Sequence, residues 1–187
     1  MSQNNSLLNL FFEFGQLRQI KHDGWRLLNL PNPESVAEHS LRAAQIAFFL
    51  AKMEKYENPY EVVSMLVFHD IGECRVGDIN KLENAYVEAQ EEKAVRDQLS
   101  TLEDGKEVVT LWQECEYAAS KPGIIAKDAD YLEQAITAKE YIQSGYKMAE
   151  DWITNVRTKL KTDSAKALLE ELANIDPTDW WQGLKQI

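Results

Sequence analysis

The apolar residues Val62, Val63, Leu66 and Val67 recur at helical spacing and run directly into His69-Asp70. A buried helix that ends on an imidazole beside a carboxylate must give both groups something to bind, because polar groups withdrawn from water are costly unless paired. The chain has only three histidines in 187 residues, and a second one, His39, falls on another predicted helix. The acidic pair Asp128 and Asp130 falls on a third. Together these residues predict one divalent metal held between helices. That requirement constrains the fold more than any other feature of the chain.

The remaining pattern is helical almost throughout. Leu7, Leu10, Phe11, Phe14, Leu17 and Ile20 recur every three or four residues and form one stripe on a first helix. A loop follows from His22-Asp23-Gly24-Trp25 to Pro31-Asn32-Pro33, in which His22 is expected to face solvent. Ser35 reads as an N-cap completed by Glu38, and the helix it opens carries Val36, Ala43, Ala44, Ala47, Phe48 and Leu50. Asn58-Pro59 opens the next helix as cap and first residue. Gly72 and Gly77 close it, which leaves residues 73–78 on a turn or loop. Further helices are expected over 82–99, 106–119, 124–144, 147–160 and 164–174, and Trp180-Trp181 on a tail docked against the body. Strand signals are scarce, so the expectation is a single all-α domain over 1–187. Its metal-binding core would span about 34–134, and C-terminal helices from about 145 to 187 would complete it.

Twenty basic against thirty-one acidic residues give a net charge of −11, which argues against general affinity for nucleic acid or anionic membranes. A small anionic substrate stays compatible if a metal or a few basic side chains reverse the field locally. Two cysteines, Cys74 and Cys115, give no disulfide framework and fit a reduced, cytoplasmic compartment; Cys74 reads as a packed thiol. No apolar stretch has the length of a membrane span.

Two imidazoles and two carboxylates suit Mn, Fe, Co, Ni, Cu or Zn. They also leave coordination positions open for water and a substrate oxygen, the mark of a catalytic site as opposed to a structural one. Such a metal lowers the pKa of water and polarises a phosphoryl oxygen. Glu73, one turn after Asp70, is placed to orient the water or exchange a proton, and Asp78 to accept a hydrogen bond from a sugar hydroxyl. Each feature also has a plainer reading. His69-Asp70 alone fits a helix-end hydrogen bond, His39 alone a core histidine, and Asp128 with Asp130 fit first-turn acids facing a helix dipole. Their coincidence in one helical chain favours the metal.

Four blocks of sequence then carry a resemblance. Gly24-Trp25, Pro33 to His39, His69 to Cys74 and Val76 to Ile79, followed by Asp130, resemble the HD-domain metal-dependent phosphohydrolases. They are most similar to the HD-domain 5′-deoxynucleotidases, which remove phosphate from deoxyribonucleoside 5′-monophosphates. The resemblance implies an HD-type helical bundle with His39, His69 and Asp70 as metal ligands. It implies Asp130 as the fourth ligand, with Asp128, two residues away, as the alternative. It implies Mn or Co as the activating ion, Glu73 as the acid/base, Asp78 as a sugar contact and a homodimer. Trp25 matches a tryptophan packed near the deoxyribose, although a core aromatic pinning the loop is nearly as good a reading. Some bacterial members carry an arginine immediately before that tryptophan to hold phosphate. Gly24 stands there in this chain, and Arg26, Arg42 or Lys81 are the candidate substitutes.

The expected activity is thus hydrolysis of a nucleotide 5′-phosphate by a water activated at the metal. The alternatives are an HD-type hydrolase of a triphosphate, diester or alarmone, or a non-catalytic metal-binding module. Gly72-Glu73 stands where two-metal cyclic-dinucleotide phosphodiesterases have Gly-Lys, which disfavours the diester. Replacing Glu73 by alanine is expected to preserve metal content and lower turnover by about 10²-fold or more, the usual worth of a positioned acid/base. Metal analysis alongside steady-state rates checks this, and a variant at full rate would remove the role given to Glu73.

Overall fold

The computed structural model describes residues 2–184. Among these the regular structure is helical, and the sole β feature is an isolated bridge between Lys21 and Ser35. The α-helices are α1 (Gln3–Phe14), α2 (Val36–Met53), α3 (Pro59–Phe68), α4 (Glu73–Val76), α5 (Glu91–Leu99), α6 (Gly105–Tyr117), α7 (Lys121–Gln143), α8 (Glu150–Arg157), α9 (Asp163–Glu171) and α10 (Asp179–Gln182). None of them is long and apolar enough to cross a membrane.

The start of α2 follows the sequence closely. Ser35 Oγ accepts from Glu38 N at 3.3 Å, and the Glu38 carboxylate accepts from Ser35 N at 2.6 Å, which completes the capping box. Pro59 opens α3 as expected, but the Asn58 side chain makes no capping hydrogen bond. The helix α7 starts earlier than its apolar pattern predicted. Ser120 Oγ accepts from Gly123 N at 3.2 Å, and Pro122 occupies the first turn. Asp128 and Asp130 therefore lie well inside α7, and neither is a first-turn acid.

Two further expectations are corrected. The long helix over 82–99 begins only at Glu91. Asn80 Oδ1 accepts from the backbone N–H of Leu82 (2.9 Å) and Glu83 (3.1 Å), turning the chain into a short 3-10 segment, Glu83–Ala85. Tyr86 and Val87 are exposed there, so a helix through this stretch would have had no apolar face to bury. At the C-terminal end, Gln143 Nε2 donates to Asp176 Oδ2 at 3.1 Å and Trp181 is half-buried, so of the tryptophan pair it is Trp180, 76% exposed, that departs from the docked tail expected.

The main core joins α2, α3, α7 and α8, with Ala43, Ala47, Leu50, Met65, Leu66, Ile125, Ala129, Leu132 and Ile153 all buried. A second, smaller core gathers Leu10, Ile71, Val95, Leu99, Val109 and Trp112 beneath α1, α5 and α6. In the centre lies α7, which buries Asp128, Asp130 and Glu133 as well as its apolar residues.

Asp128 faces away from His39. Its carboxylate accepts from Lys161 N (3.0 Å), Thr162 N (2.6 Å) and Thr162 Oγ1 (2.7 Å), fixing the turn that leads into α9. Asp128→Ala removes the buried acceptor that holds this partly exposed turn and is expected to destabilise the fold by about 1–3 kcal/mol, the range for lost hydrogen bonds to a charged group. Thermal or denaturant unfolding measures the loss, and metal content per folded chain should stay at the wild-type level.

Candidate metal centre and adjoining cavity

His39 sits in the second turn of α2, fixed by the capping box just before it. His69 and Asp70 follow the last residue of α3, Phe68, and lie in tight turns rather than regular helix. Adjacent residues within a helix point about 100° apart. His69 keeps helical dihedrals (φ −66°, ψ −32°), so the two side chains approach a common point from different directions, beside the helix end. Asp130 comes from the middle of α7.

Their donor atoms converge. His39 Nε2 lies 3.3 Å from His69 Nε2, 3.3 Å from Asp130 Oδ1 and 3.7 Å from Asp70 Oδ2. His69 Nε2 lies 3.0 Å from Asp70 Oδ2 and 4.0 Å from Asp130 Oδ1. Ligands held at about 2.1 Å from one ion stand roughly 3–3.5 Å from each other. The tautomers fit the same conclusion. His69 Nδ1 hydrogen-bonds Leu66 O at 2.9 Å, and His39 Nδ1 hydrogen-bonds Glu133 Oε2 at 2.5 Å. Donation from Nδ1 in both rings leaves both Nε2 lone pairs directed at the carboxylates. Such a concentration of electron density fits a divalent cation, and the donor set meets the chemistry expected of one.

Glu133 was not identified from sequence. Fully buried, it also accepts from Arg42 Nε (2.8 Å) and Thr137 Oγ1 (2.9 Å). Arg42 Nη1 is clamped in addition by Glu140 at 2.8 Å. Burial raises the Glu133 carboxyl, and its bonds to His39 and Arg42 more than reverse this, so it stays below the usual carboxylate range. The only advance signal was its position three residues after Asp130, one turn along α7. Arg42 is therefore a brace for the centre and is not free to hold a substrate anion.

His22 is likewise not solvated. Half-buried, its Nδ1 lies 3.1 Å from Glu34 Oε1 and its ring centroid 4.5 Å from that of His39. Trp25 is 1% exposed, donates from Nε1 to Glu34 Oε1 at 3.0 Å, and stacks on Trp152 at 4.8 Å between centroids. It lies buried behind Trp152, which lines the cavity together with Tyr131 and His22. Arg26 pairs with Asp23 at 3.1 Å and with Glu83, and it does not line the cavity.

That cavity, of about 440 Å³, is lined by His22, by Asp78 of the loop after Gly77, by Asp130 and Tyr131 of α7 and by Trp152 of α8. Gly77 takes φ +77°, a conformation glycine adopts without strain, and so turns the chain to place Asp78 on the cavity wall. Asp78 Oδ2 accepts from Asp23 N, and burial raises its carboxyl above the ordinary value. Glu73 opens the four-residue helix α4, not the loop expected, and its Oε2 is buried with no hydrogen-bond partner among the described residues. Burial, reinforced by Asp70, Asp78 and Glu91, pushes its carboxyl up to about 11. A divalent cation beside Asp70 would offset that repulsion. Glu91 packs over Gly72, where a Cβ would meet Glu91 Cγ at 2.5 Å. Burial, then Asp70 and Glu116, push the Glu91 carboxyl up to about 7. The Cys74 thiol, half-buried against Glu13 O, is pushed up to about 11 by burial and reads as packed and unreactive.

The sequence matches the HD-domain family over residues 14–173. The zebrafish (Danio rerio) 5′-deoxynucleotidase HDDC2 is 32% identical over 142 residues, covering 73% of this chain and 70% of that protein. The human protein of the same name is 30% identical over 174 residues, covering 89% and 84%. Among solved structures, a conserved hypothetical protein from Pyrococcus furiosus superposes with a TM-score of 0.77 at 29% identity, covering 90% of this chain and 99% of that one. The chain belongs to the HD-domain family of phosphohydrolases and stands close to the 5′-deoxynucleotidases within it.

Metal affinity should follow the protonation of His39. Burial disfavours its imidazolium, but Asp130 and Glu133 outweigh burial and raise its pKa well above 6.5. The stability from this ion cluster in chelated protein is fully present below the unfolded value and is lost as pH rises through the folded one. Ion binding must displace the same proton and strengthens over the same range. The increase in Tm on adding a divalent ion to chelated protein is therefore expected to grow as pH rises above 6.5. Thermal scans with and without ion across pH check this. An increase that shrinks with pH would contradict the assignment.

Proposed function

We propose that this protein is a metal-dependent 5′-deoxynucleotidase that releases phosphate from deoxyribonucleoside 5′-monophosphates. The observation that carries the reading is the convergence of His39, His69, Asp70 and Asp130 beside a cavity large enough for a nucleotide. The similarity to proteins named 5′-deoxynucleotidase supports the substrate class. Residues 34–134 or so are taken as the metal-binding core of a single domain, and the C-terminal helices from about 145 as the segment that completes its body.

His39, His69, Asp70 and Asp130 would hold the ion, Mn or Co by family resemblance, with Fe, Ni, Cu and Zn compatible with the donors. When bound, it supplies Lewis-acid polarisation of the phosphoryl oxygen and a lowered pKa for water. Glu133 holds the His39 ring in the liganding tautomer. Glu73, with its unpartnered buried oxygen, positions the attacking water and exchanges a proton with it or with the leaving 5′-oxygen. Asp78, on the cavity wall and braced by Asp23 N, accepts a hydrogen bond from the sugar hydroxyl. Trp25 acts on the sugar pocket from behind, through its stack on Trp152.

The chain is further read as a cytoplasmic homodimer. Both cysteines are free, and Leu41, Phe49, Tyr60 and Val67 leave an exposed apolar surface on α2 and α3. Light scattering that returned a single-chain mass would remove the dimer.

Phosphate release from deoxy- and ribonucleoside 5′-monophosphates tests the activity. Chelator-treated protein is assayed with Mn, Co, Zn or Mg restored singly, beside His69→Ala. The expected result is ion-dependent release from the deoxy series, abolished in the variant. Release from both sugar series would keep the phosphatase and discard sugar selection. Silence with every ion would transfer the weight to triphosphates, diesters and alarmones.

A further inference from the structure

Three lysines line the cavity from separate parts of the chain: Lys81 beyond the Gly77 turn, Lys127 on α7, and Lys159 just past the end of α8. Their surroundings differ. Lys127 is tied to Glu116 at 3.2 Å and to Asp130 at 3.4 Å, and burial notwithstanding, these carboxylates hold it firmly charged. Lys81 and Lys159 make no ion pair with any carboxylate among the described residues. Lys159 Nζ rests instead over the Tyr131 ring, 4.4 Å from its centroid, and Lys127 Nζ approaches the same ring at 5.8 Å. Burial, together with the Lys81 and Lys127 charges, lowers the Lys159 pKa, while Asp130 is near enough to oppose this. In a chain of net charge −11, with 31 acidic residues available, two lysines at one cavity have been left without a carboxylate. Lys81 is exposed and Lys159 half-buried, so an anion entering the cavity gains most from the less hydrated Lys159 charge.

The arginines do not compete for this role. Arg26 is paired with Asp23 and Glu83 outside the cavity, and Arg42 is committed to Glu133 and Glu140. The acidic wall of the cavity, Asp78 and Asp130, is on the side of the metal donors, and Asp151, which also lines it, is exposed.

We infer that Lys159, assisted by Lys81, is the residue that binds the substrate phosphate in this chain. Resting on the nucleotidase reading, the inference assigns to the segment after α8 the role that an arginine before Trp25 would otherwise have. An ammonium on a flexible stem acts as a point charge and suits the equivalent oxygens of a terminal phosphomonoester, with no need for a planar fork. The Tyr131 ring and the half-buried stem restrict that flexibility, so less entropy is lost when the anion binds. Because Lys159 contacts the phosphate both before and during reaction, its contribution belongs mainly to binding.

The test is the steady-state kinetics of Lys159→Met, Lys81→Met, the double variant and Lys159→Arg in ion-loaded enzyme. Alongside these, inorganic phosphate and a deoxyribonucleoside are titrated into each by calorimetry. Lys159→Met is expected to raise KM by about tenfold, the loss of one charge-assisted contact, while kcat falls much less. Phosphate affinity should weaken by a similar factor with nucleoside affinity and ion content unchanged. Lys81→Met should have a smaller effect, the double variant a larger one, and Lys159→Arg should restore most of the affinity. A Lys159→Met enzyme with wild-type KM and wild-type phosphate affinity would overturn the inference. If the wild type hydrolysed no monophosphate yet bound inorganic phosphate through Lys159, the anion site would stand and the nucleotidase reading would fall.

Discussion

The metal centre depends on how closely α2 and α7 approach, and small side chains set that distance. Ala43, Ala47 and Ala51 on α2, and Ala126, Ala129, Ala135 and Ala138 on α7, are all buried in the shared core. Helix axes separate according to the side chains between them, and alanine keeps the separation small. Only then can short side chains such as His39 and Asp130 meet at 3.3 Å. The end of α3, packed on both helices, adds His69 and Asp70 to the same point. Bulkier residues at the alanine positions would push the donors beyond the span of one ion, while leaving the helices themselves intact.

The same central helix has to solve an electrostatic problem. Buried nearly all round, α7 carries three buried carboxylates within six residues; Asp128 has its own partners, while Asp130 and Glu133 share His39 through its two ring nitrogens. Asp128 is satisfied by the backbone and hydroxyl donors of the turn into α9. Glu133 is satisfied by His39, Arg42 and Thr137. Asp130 is held between His39 and Lys127, and it is the one aimed at the other metal donors. Buried charges are tolerated only when paired and hydrogen-bonded. In this helix the pairing also divides the carboxylates into one that pins the turn into α9, one that braces His39 and one that faces the His39–His69–Asp70 cluster.

The cavity beside the centre is lined by charges of both signs. Carboxylates cluster around the donor atoms, and there burial and mutual repulsion raise Glu73, Asp78 and Glu91 above their ordinary values. Lys81, Lys127 and Lys159 line the same cavity from the loop after Gly77, from α7 and from the end of α8. The overall charge of −11 does not set the potential there, because field inside a concave low-dielectric site is set by the nearest groups.

Much of this was legible in the chain. The period of apolar residues gave an all-α fold, the capping box placed α2, and the adjacency of His69 and Asp70 at the end of an apolar run marked the centre. Those signals are local, and local sequence governs helix formation and termination. What depends on helices meeting was not legible. Nothing in the spacing said whether Asp128 or Asp130 faced His39, since both are buried on α7. Nothing said that Glu133 braces His39 across 94 residues, that His22 lies against the centre, or that Trp152 covers Trp25. Lys159, distant in sequence from every motif, reaches the cavity only because α8 packs along α7. Sequence by itself determined the elements and the chemical types available; tertiary packing decided which side chains share a site, because convergence depends on helix rotation and separation, which no short stretch of sequence encodes.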